Sequence, residues 1–303
     1  MFKINNHKYR RAFSLIELSI VILIIGILVA GVTQSSRLVS AMRMQSLRSI
    51  TLSSPVNSIS GLVSWYETVL EKSFDASQTS NGSEISVWYD VNIQATSPNN
   101  ATQSNPSRRP RYSTSWALPL VNFNGAIDGQ FLSLPDNTIP SGDSAFTIFM
   151  VLRLSQDAQI NRNHDFLVAG YWSNPTNLMR LFNGPSGTFL FYNLTGGGAS
   201  TAYWPNTPYF PINTMTIITA SYKNTNPKLV TSHINGTLQA SASVADPRLT
   251  NTNYTMIGGN AWANSEYFRG DIGEIIIFNR YLSNDERIDV EKYLAKKFSI
   301  KIS

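Results

Sequence analysis

The chain has 303 residues, of which 42% are apolar and only 14% charged, so it can bury a core beneath a neutral, polar surface. The absence of cysteine excludes disulfide frameworks, cysteine-based zinc sites, iron–sulfur clusters and thiol catalysis. The net charge is +5, but Lys3, Lys8, Arg10 and Arg11 supply most of it and leave the remainder nearly neutral. Because no basic stripe follows, the charge pattern argues against a nucleic-acid partner.

An apolar segment at 13–32 follows the basic start and contains one charged residue, Glu17. As a helix this segment would span roughly 30 Å, the thickness of the hydrocarbon core of a membrane. The basic flank predicts that the N-terminus stays in the cytoplasm and that the rest of the chain faces outward. A carboxylate inside a membrane costs about 3 kcal/mol or more unless it is paired, so Glu17 is a candidate functional residue. Its place one turn into the helix also allows it to reach the membrane interface.

This start resembles the class III signal of type IV pilins and pseudopilins, with RRAFSLIEL at 10–18 and IVILIIGIL at 20–28. The resemblance implies that prepilin peptidase cuts between Ala12 and Phe13 and that Phe13 is then methylated. It also implies that Glu17 pairs with the Phe13 amine of a neighbouring subunit during assembly. Ala12 stands where the family usually has Gly, and Gln34 where it often has Pro. The first departure predicts slower processing, and the second favours a minor subunit.

The helix is predicted to continue to about residue 53, because Pro55 disfavours a helical conformation just before it. We therefore expect a leader peptide at 1–12 and a pilin-like helix at 13–54, whose membrane half is 13–32. The remaining residues, 56–303, are expected to form one domain.

Beyond residue 56, short apolar runs alternate with Asn, Gly, Pro and Ser, a pattern typical of an antiparallel β-sandwich. Asn235-Gly236 predicts a hairpin turn, and Ser283 with Glu286 predicts a capped C-terminal helix. The predicted strands are 86–89, 120–123, 131–134, 146–154, 166–169, 188–192, 215–222, 229–234, 237–242, 254–257 and 272–279.

Two parts of this region resemble bacterial concanavalin A-like, laminin-G-like jelly rolls. WYD at 88–90, VNFNG at 121–125 and FLSLP at 131–135 are similar to the opening of that fold, and GDIGEIIIFNR at 270–280 to its closing strand. The resemblance implies a mainly β, antiparallel jelly-roll sandwich. It leaves the ligand open, since members bind sugars or proteins.

The same fold houses glucanases, which place their carboxylates on one strand as Glu-x-Asp-x-Glu or a close variant. The sequence has no such triplet, and on a regular strand Asp271 and Glu274 would point to opposite faces. The sequence places no nucleophile or metal ligand near His164-Asp165 or His233 at a spacing typical of a catalytic or metal-binding motif. We therefore predict no catalytic residues and a protein that is not an enzyme.

Tryptophans in the predicted loops are the candidate ligand-binding residues, because sugar rings stack on aromatic faces. Packing in the core is the alternative role for each of them. Calcium, which some laminin-G-like domains bind, would need carboxylates such as Asp128, Asp136 or Asp143, and no other cofactor is expected. The candidate tryptophans are Trp116, Trp172, Trp204 and Trp262.

Together these features predict a minor pilin or pseudopilin of a type IV pilus or type II secretion filament, with a lectin-like head. The expected partners are prepilin peptidase, other pilin subunits, membrane lipid and a glycan or protein ligand. The expected location is the bacterial inner membrane as a single-pass protein, followed by a cell-surface or periplasmic filament. Two alternatives are a membrane-tethered lectin-like binding protein that is not assembled in a filament, and a tethered glycan-degrading enzyme.

Overall fold

The structure is a computed structural model that describes residues 15–124, 129–155, 163–170, 178–184, 189–194, 201–203, 211–243, 254–259 and 266–303. The chain divides into two compact units, one ending at Leu47 and the other beginning at Arg48. Each unit is described by itself below.

The described part of the first unit is helical. It belongs to helix α1 (Leu15–Leu52), of which the residues from Arg48 onward are part of the second unit. This helix is long and apolar enough to cross a membrane. Its aliphatic side chains are exposed over several turns, including Leu15, Ile22 and Leu28. Such a surface is costly in water and is stable against lipid or against other apolar helices.

The second unit contains the β-strands, short 3₁₀ helices and a C-terminal helix, α2 (Asn284–Phe298). The 3₁₀ helices are Pro55–Ser58, Glu71–Ser73, Ala76–Gln78 and Pro106–Arg108. The strands are β1 (Leu62–Tyr66), β2 (Val87–Trp88), β3 (Ala101–Thr102), β4 (Arg111–Ser113), β5 (Leu120–Asn124), β6 (Leu132–Ser133), β7 (Phe146–Leu154), β8 (His164–Ala169), β9 (Leu178–Asn183), β10 (Phe189–Leu194), β11 (Thr201–Tyr203), β12 (Thr216–Lys223), β13 (Leu229–Ile234), β14 (Thr237–Ser243), β15 (Met256–Ile257) and β16 (Arg269–Phe278).

These strands form two antiparallel sheets. The first sheet has the order β14-β13-β12-β7-β16-β5-β4, and β1 also pairs with β16. The second sheet has the order β11-β10-β9-β8-β15-β6-β3-β2. The non-consecutive neighbours in both sheets reflect chain crossings between them, and the structure confirms the predicted jelly-roll sandwich preceded by a long apolar helix.

The core lies between the two sheets and is made of alternate side chains from both. Met150 and Ile275 point inward from the first sheet, while Leu167 and Ala169 point inward from the second. Trp88, in β2, is also fully buried there. Because the period of a strand is two residues, the intervening side chains of the first sheet lie on its outer face.

Helix α2 packs on the outer face of the first sheet. Its start has the predicted capping box: the Ser283 hydroxyl accepts from the Glu286 N–H at 3.3 Å, and the Glu286 carboxylate accepts from the Ser283 N–H at 2.9 Å. Tyr293 meets the ring of Trp65 edge-on, with ring centroids 6.4 Å apart. A side chain at Gly273 would collide with the ring of Phe298, so glycine permits this close contact.

A β-bulge at Gly273 changes which side chains of β16 share a face. Asp271 lies opposite Arg153 and Glu274 lies opposite Val151, while Ile272 and Ile275 both point into the core. Asp271 and Glu274 are therefore on the same, outer face of the first sheet. The expectation that they point to opposite faces assumed a regular strand and is wrong, because the extra residue of a bulge shifts the alternation.

Candidate functional site

A cleft of about 240 Å³ lies on the outer face of the first sheet. Four neighbouring strands contribute to it, because the strand pairing places Arg111 opposite Asn122, and Asp271 opposite both Asn122 and Arg153. The loop between β4 and β5 adds Trp116. Its complete lining is Asn81, Gly82, Arg111, Tyr112, Ser113, Ser115, Trp116, Asn122, Arg153 and Asp271.

The carboxylate of Asp271 organises the polar part of the cleft. Its Oδ2 accepts from Arg153 Nε at 2.8 Å and also from Arg153 Nη2, which gives a two-pronged ion pair. Its Oδ1 accepts from Asn122 Nδ2 at 2.7 Å. Arg153 Nη1 additionally donates to the side-chain oxygen of Asn213. Charge-assisted contacts of this kind fix both the guanidinium and the amide in one orientation.

Trp116 is the aromatic component of the cleft, and 40% of its surface is exposed. The guanidinium carbon of Arg153 lies 4.8 Å from the centroid of its ring. An arginine held over an aromatic face in this way gains a cation–π interaction of about 0.5–1 kcal/mol. The indole therefore packs on a group that Asp271 already holds in place.

The two guanidinium groups that line the cleft each have a carboxylate nearby. Arg153 is paired with Asp271, and Arg111 Nη2 lies 3.5 Å from Glu84 Oε1. Arg111 Nη1 also donates to the Gly82 carbonyl oxygen at 2.7 Å. Arg109, which does not line the cleft, approaches Glu84 Oε2 at 3.8 Å. Glu84 is therefore shared by two arginines, whereas Asp271 pairs with Arg153.

Of the other candidate residues, Glu17 is the one that the structure describes. Trp172, Trp204 and Trp262 lie outside the described residues, as do Ala12 and Phe13. Glu17 lies in the first turn of α1 and is exposed. Their proposed roles therefore stay predictions, and Trp116 is the candidate tryptophan whose surroundings the structure describes.

A second polar cluster lies on the outer face of the second sheet. Arg180 donates from Nε and Nη2 to Asp165 Oδ1, at 2.9 and 2.6 Å, and Nη2 also lies 2.7 Å from Glu266 Oε2. Glu266 in turn accepts from Asn163 at 2.5 Å. His164 is buried, with Nδ1 3.3 Å from the Tyr267 carbonyl oxygen. Asp165 is thus engaged by an arginine and the ring of His164 by a backbone carbonyl.

A third, fully buried cluster joins α2 to the first sheet. Lys297 Nζ lies 3.1 Å from Glu67 Oε2 and 2.8 Å from Glu274 Oε2. Glu274 Oε1 accepts from Trp65 Nε1 and from the Tyr293 hydroxyl, each at 2.7 Å. Glu274 does not line the cleft that contains Asp271. Asp271 and Glu274 therefore do not flank a common opening, whereas the cleavage of a glycosidic bond requires two carboxylates on either side of the sugar.

The pKa directions in this cluster follow from burial and from Lys297. Burial raises the pKa of Glu274 above its ordinary value, and the nearby Glu67 adds to the rise while the ammonium of Lys297 opposes it. Burial would also raise the pKa of Glu67, but Lys297, the Ser73 hydroxyl and two backbone N–H groups outweigh burial and lower it. The two carboxylates raise the pKa of Lys297 against the effect of burial. The lysine is thus held in its charged form.

The described residues do not assemble a calcium site. No group of three or more metal-binding side chains comes together among them, and Asp128 lies outside them. Asp143 instead lies 2.6 Å from Lys228 Nζ and accepts a hydrogen bond from the Tyr222 hydroxyl. A carboxylate facing an ammonium group is a poor ligand for a divalent cation.

Sequence reasoning missed Arg111, Asn122 and Arg153 as parts of a site. Each is a single polar residue in or beside an apolar strand, and their meeting depends on register across four strands. The alternation within 146–154 could have placed Arg153 on the outer face. The same alternation could not have predicted that Asp271 pairs with Arg153.

Comparison with known families gives two matches within the chain. Residues 123–286, more than half of the chain, match the model of the concanavalin A-like lectin/glucanases superfamily. Residues 7–33 match the prokaryotic N-terminal methylation motif. No curated protein sequence matches the chain.

Several solved structures share the fold at low sequence identity. Domain 4 of AbnA, an extracellular arabinanase from Geobacillus stearothermophilus, was solved in complex with arabinotriose; it is 17% identical with a TM-score of 0.54, and the match covers 76% of this chain and 98% of that one. The binding domain of Paraclostridial mosquitocidal protein 1 is 16% identical with a TM-score of 0.54, over 78% and 52% of the two chains. Trypanosoma rangeli sialidase in complex with the inhibitor DANA is 16% identical with a TM-score of 0.51, over 80% and 34%.

This chain therefore spans about half the length of the mosquitocidal binding domain and about a third of the sialidase. At these identities the likeness concerns the fold alone. The family match, the two antiparallel sheets and the apolar N-terminal helix agree with one another. The chain belongs to the concanavalin A-like lectin/glucanases superfamily and carries a prokaryotic N-terminal methylation motif of the type IV pilin kind.

Proposed function

We propose that this protein is a minor pilin or pseudopilin subunit of a type IV pilus or type II secretion filament, with a lectin-like head for adhesion or substrate recognition. The observation that carries the proposal is the union in one chain of a methylation motif at 7–33 and a lectin-superfamily domain at 123–286. The first implies export and assembly machinery, and the second supplies a head that can bind a ligand.

In this proposal, residues 1–12 are the leader, 13–54 the pilin-like helix and 56–303 the head. Prepilin peptidase cuts between Ala12 and Phe13, and Phe13 is methylated. The helix first holds the protein in the bacterial inner membrane, with the head outside the cytoplasm. It then enters a cell-surface or periplasmic filament. The exposed aliphatic side chains of α1 support this path, because lipid and neighbouring helices are the two surroundings that stabilise them.

Glu17 is the proposed assembly residue. It is the acidic residue in the first turn of an otherwise aliphatic helix segment, where a carboxylate is expensive unless a positive charge pairs with it. After cleavage, the free amine of Phe13 on a neighbouring subunit supplies that charge. The pairing is possible only when the two helices lie in the correct axial register, so it selects correctly assembled subunits.

The head is proposed to bind and not to catalyse. Asp271 is engaged by Arg153 and Asn122, and Glu274 is sealed beneath α2. The proposed ligand-contacting residues are Trp116, Trp172, Trp204 and Trp262. Among proteins of the same fold, the arabinanase domain was solved with a bound arabinose trisaccharide, which supports a glycan as the ligand class here.

The test of assembly is the substitution Glu17→Ala in the full-length chain, with Ile20→Ala in the same helix as a matched control. We expect Glu17→Ala to leave membrane insertion intact and to abolish incorporation into filaments, while Ile20→Ala assembles. Membrane fractionation measures insertion, and immunogold labelling of sheared filaments measures incorporation. Normal incorporation of the Glu17→Ala variant would refute the pairing.

A membrane-tethered binding protein outside any filament is the second candidate, and Ala12 is the observation that favours it. The family usually has Gly before the cut, and an unprocessed chain cannot present the Phe13 amine. The N-terminal mass of protein recovered from its native membrane distinguishes the two. A chain that starts at methylated Phe13 supports the pilin, whereas one that still starts at Met1 supports the tethered binding protein.

A further inference from the structure

We propose that the cleft around Trp116 is a carbohydrate subsite for one neutral sugar unit that presents two adjacent hydroxyl groups. The inference rests on the proposed lectin-like head and adds to it a location, a ligand class and three contact residues. These are Trp116, Asn122 and Arg153, which lie together on the outer face of the first sheet.

The size of the cleft fits a single ring. Its volume of about 240 Å³ is below the roughly 300–1,000 Å³ of sites that enclose drug-sized ligands. An extended oligosaccharide would therefore place one unit in the cleft and leave its neighbours in solvent.

The aromatic wall supplies the apolar contact that sugars need. The carbon-bound hydrogens of a pyranose or furanose form a weakly apolar face, and a flat indole buries that face with little loss of conformational entropy. Trp116 is 40% exposed, so part of its surface is open to a ligand. Arg153, whose own position is fixed by Asp271, supports the indole at 4.8 Å.

Beside the indole, the cleft offers fixed hydrogen-bonding groups of both kinds. Asn122 donates its amide nitrogen to Asp271, and its carbonyl oxygen accepts no hydrogen bond within the part of the chain that the structure describes. Arg153 has five N–H donors, of which three are engaged by Asp271 and Asn213. Two adjacent hydroxyls can therefore donate to Asn122 and accept from Arg153. Both groups are held by Asp271 before a ligand arrives, which reduces the entropy lost on binding.

The ion pairs of the cleft favour a neutral ligand. Arg153 is paired with the buried Asp271, and Arg111 lies 3.5 Å from Glu84, which it shares with Arg109. A carboxylated or phosphorylated sugar would bring its charge near Asp271 and Glu84 as well as near the guanidinium groups that these carboxylates pair with. Such a ligand gains little electrostatic attraction here and still loses its hydration.

The test measures binding of defined trisaccharides to the full-length protein in detergent micelles by isothermal titration calorimetry. The neutral probes are arabinotriose, cellotriose, maltotriose and mannotriose, and the anionic probe is sialyllactose. We expect at least one neutral probe to bind. Trp116→Ala should weaken that binding by about 30-fold, the usual effect of truncating an aromatic anchor.

Two further variants control for indirect effects. Trp116→Phe keeps an aromatic face and should recover most of the affinity lost in Trp116→Ala. Leu238→Ala removes a comparably exposed apolar side chain from β14, at the far edge of the same sheet, and should bind as the wild type does. Thermal unfolding of each variant shows that the fold is retained.

The outcomes separate this inference from the proposed function. If Trp116→Ala binds a neutral probe as tightly as the wild type, the cleft is not the subsite although the head remains lectin-like. A preference for sialyllactose overturns the neutral ligand class. If the wild type binds none of the five probes, both the subsite and the glycan-binding head are refuted, while filament incorporation of the Glu17 variant still reports on assembly.

Discussion

Replacing Lys297 by methionine probes the buried cluster that ties α2 to the first sheet. Methionine keeps a long apolar side chain, so the change removes the ammonium group without opening a large cavity. Lys297, Glu67 and Glu274 are all fully buried, and the ammonium lies within 3.1 Å of both carboxylates. Removing one partner from a buried ion pair costs about 3–5 kcal/mol, because the remaining charge is left uncompensated.

The remaining hydrogen bonds indicate how this loss depends on pH. Glu67 keeps the backbone N–H groups of Val69 and Leu70, at 2.8 Å each, and Glu274 keeps Trp65 and Tyr293. Without Lys297, the pKa of Glu274 rises further and the pKa of Glu67 is no longer lowered by the ammonium, so one of the two carboxylates can lose its charge by binding a proton. A group whose pKa is raised on folding loses stability as the pH rises through that pKa. The variant should therefore be closer to the wild type at pH 5 than at pH 8.

Urea unfolding of the full-length protein in detergent, followed by tryptophan fluorescence, measures the free energy difference. The thermal midpoint should fall by about 10 °C for a domain of this size. Lys296→Met is the matched control, since Lys296 is the exposed neighbour on the same helix, and its effect should stay below about 1 kcal/mol. A loss below about 1 kcal/mol for Lys297→Met, equal at both pH values, contradicts the reasoning.

Two smaller changes test other parts of the head. Ser283→Ala removes the hydroxyl that caps α2 and should cost about 1 kcal/mol in urea unfolding, whereas Ser283→Asp should restore most of the loss. His233 has its pKa lowered to about 4 by burial and by Arg287, so its contribution to stability is present above pH 6.5 and is lost as the pH falls through 4. His233→Gln should accordingly reduce the loss of stability between pH 6.5 and pH 4 by up to about 3 kcal/mol, and an unchanged pH profile of unfolding contradicts this.

Periodicity in the sequence was sufficient to locate the longest strands, β7, β12, β14 and β16. The apolar run at 146–154 coincides with β7, and the Asn235-Gly236 turn joins β13 to β14 as predicted. The strands that escaped prediction include β3, which has two residues, and β4, which has three. Such short elements carry too few residues to show an alternation, and they are strands only because a neighbour pairs with them. Strand β9 escaped because it lies in a stretch rich in Gly, Pro and Asn, whose composition favours loops.

The candidate site was predictable only in part, for a related reason. Trp116 could be singled out because an aromatic residue in a polar loop is unusual enough to notice. Its neighbours Asn122, Arg153 and Asp271 are separated along the chain by about 30 to 120 residues, and only the register of the sheet places them together. The bulge at Gly273 has no signal in the alternation of a single sequence, so the shared face of Asp271 and Glu274 was not predictable.

That bulge gives β16 two separate roles on one face. Before it, Asp271 reaches the open cleft and holds Arg153 and Asn122; after it, Glu274 is sealed beneath α2 by Lys297 and Tyr293. A site built on the interior of paired strands is more rigid than one built on loops, because each side chain inherits the fixed position of the sheet. The cleft therefore has the rigidity that the proposed sugar subsite would need to discriminate between similar sugars. Trp116, which comes from a loop, is the contact best able to adjust to the ligand.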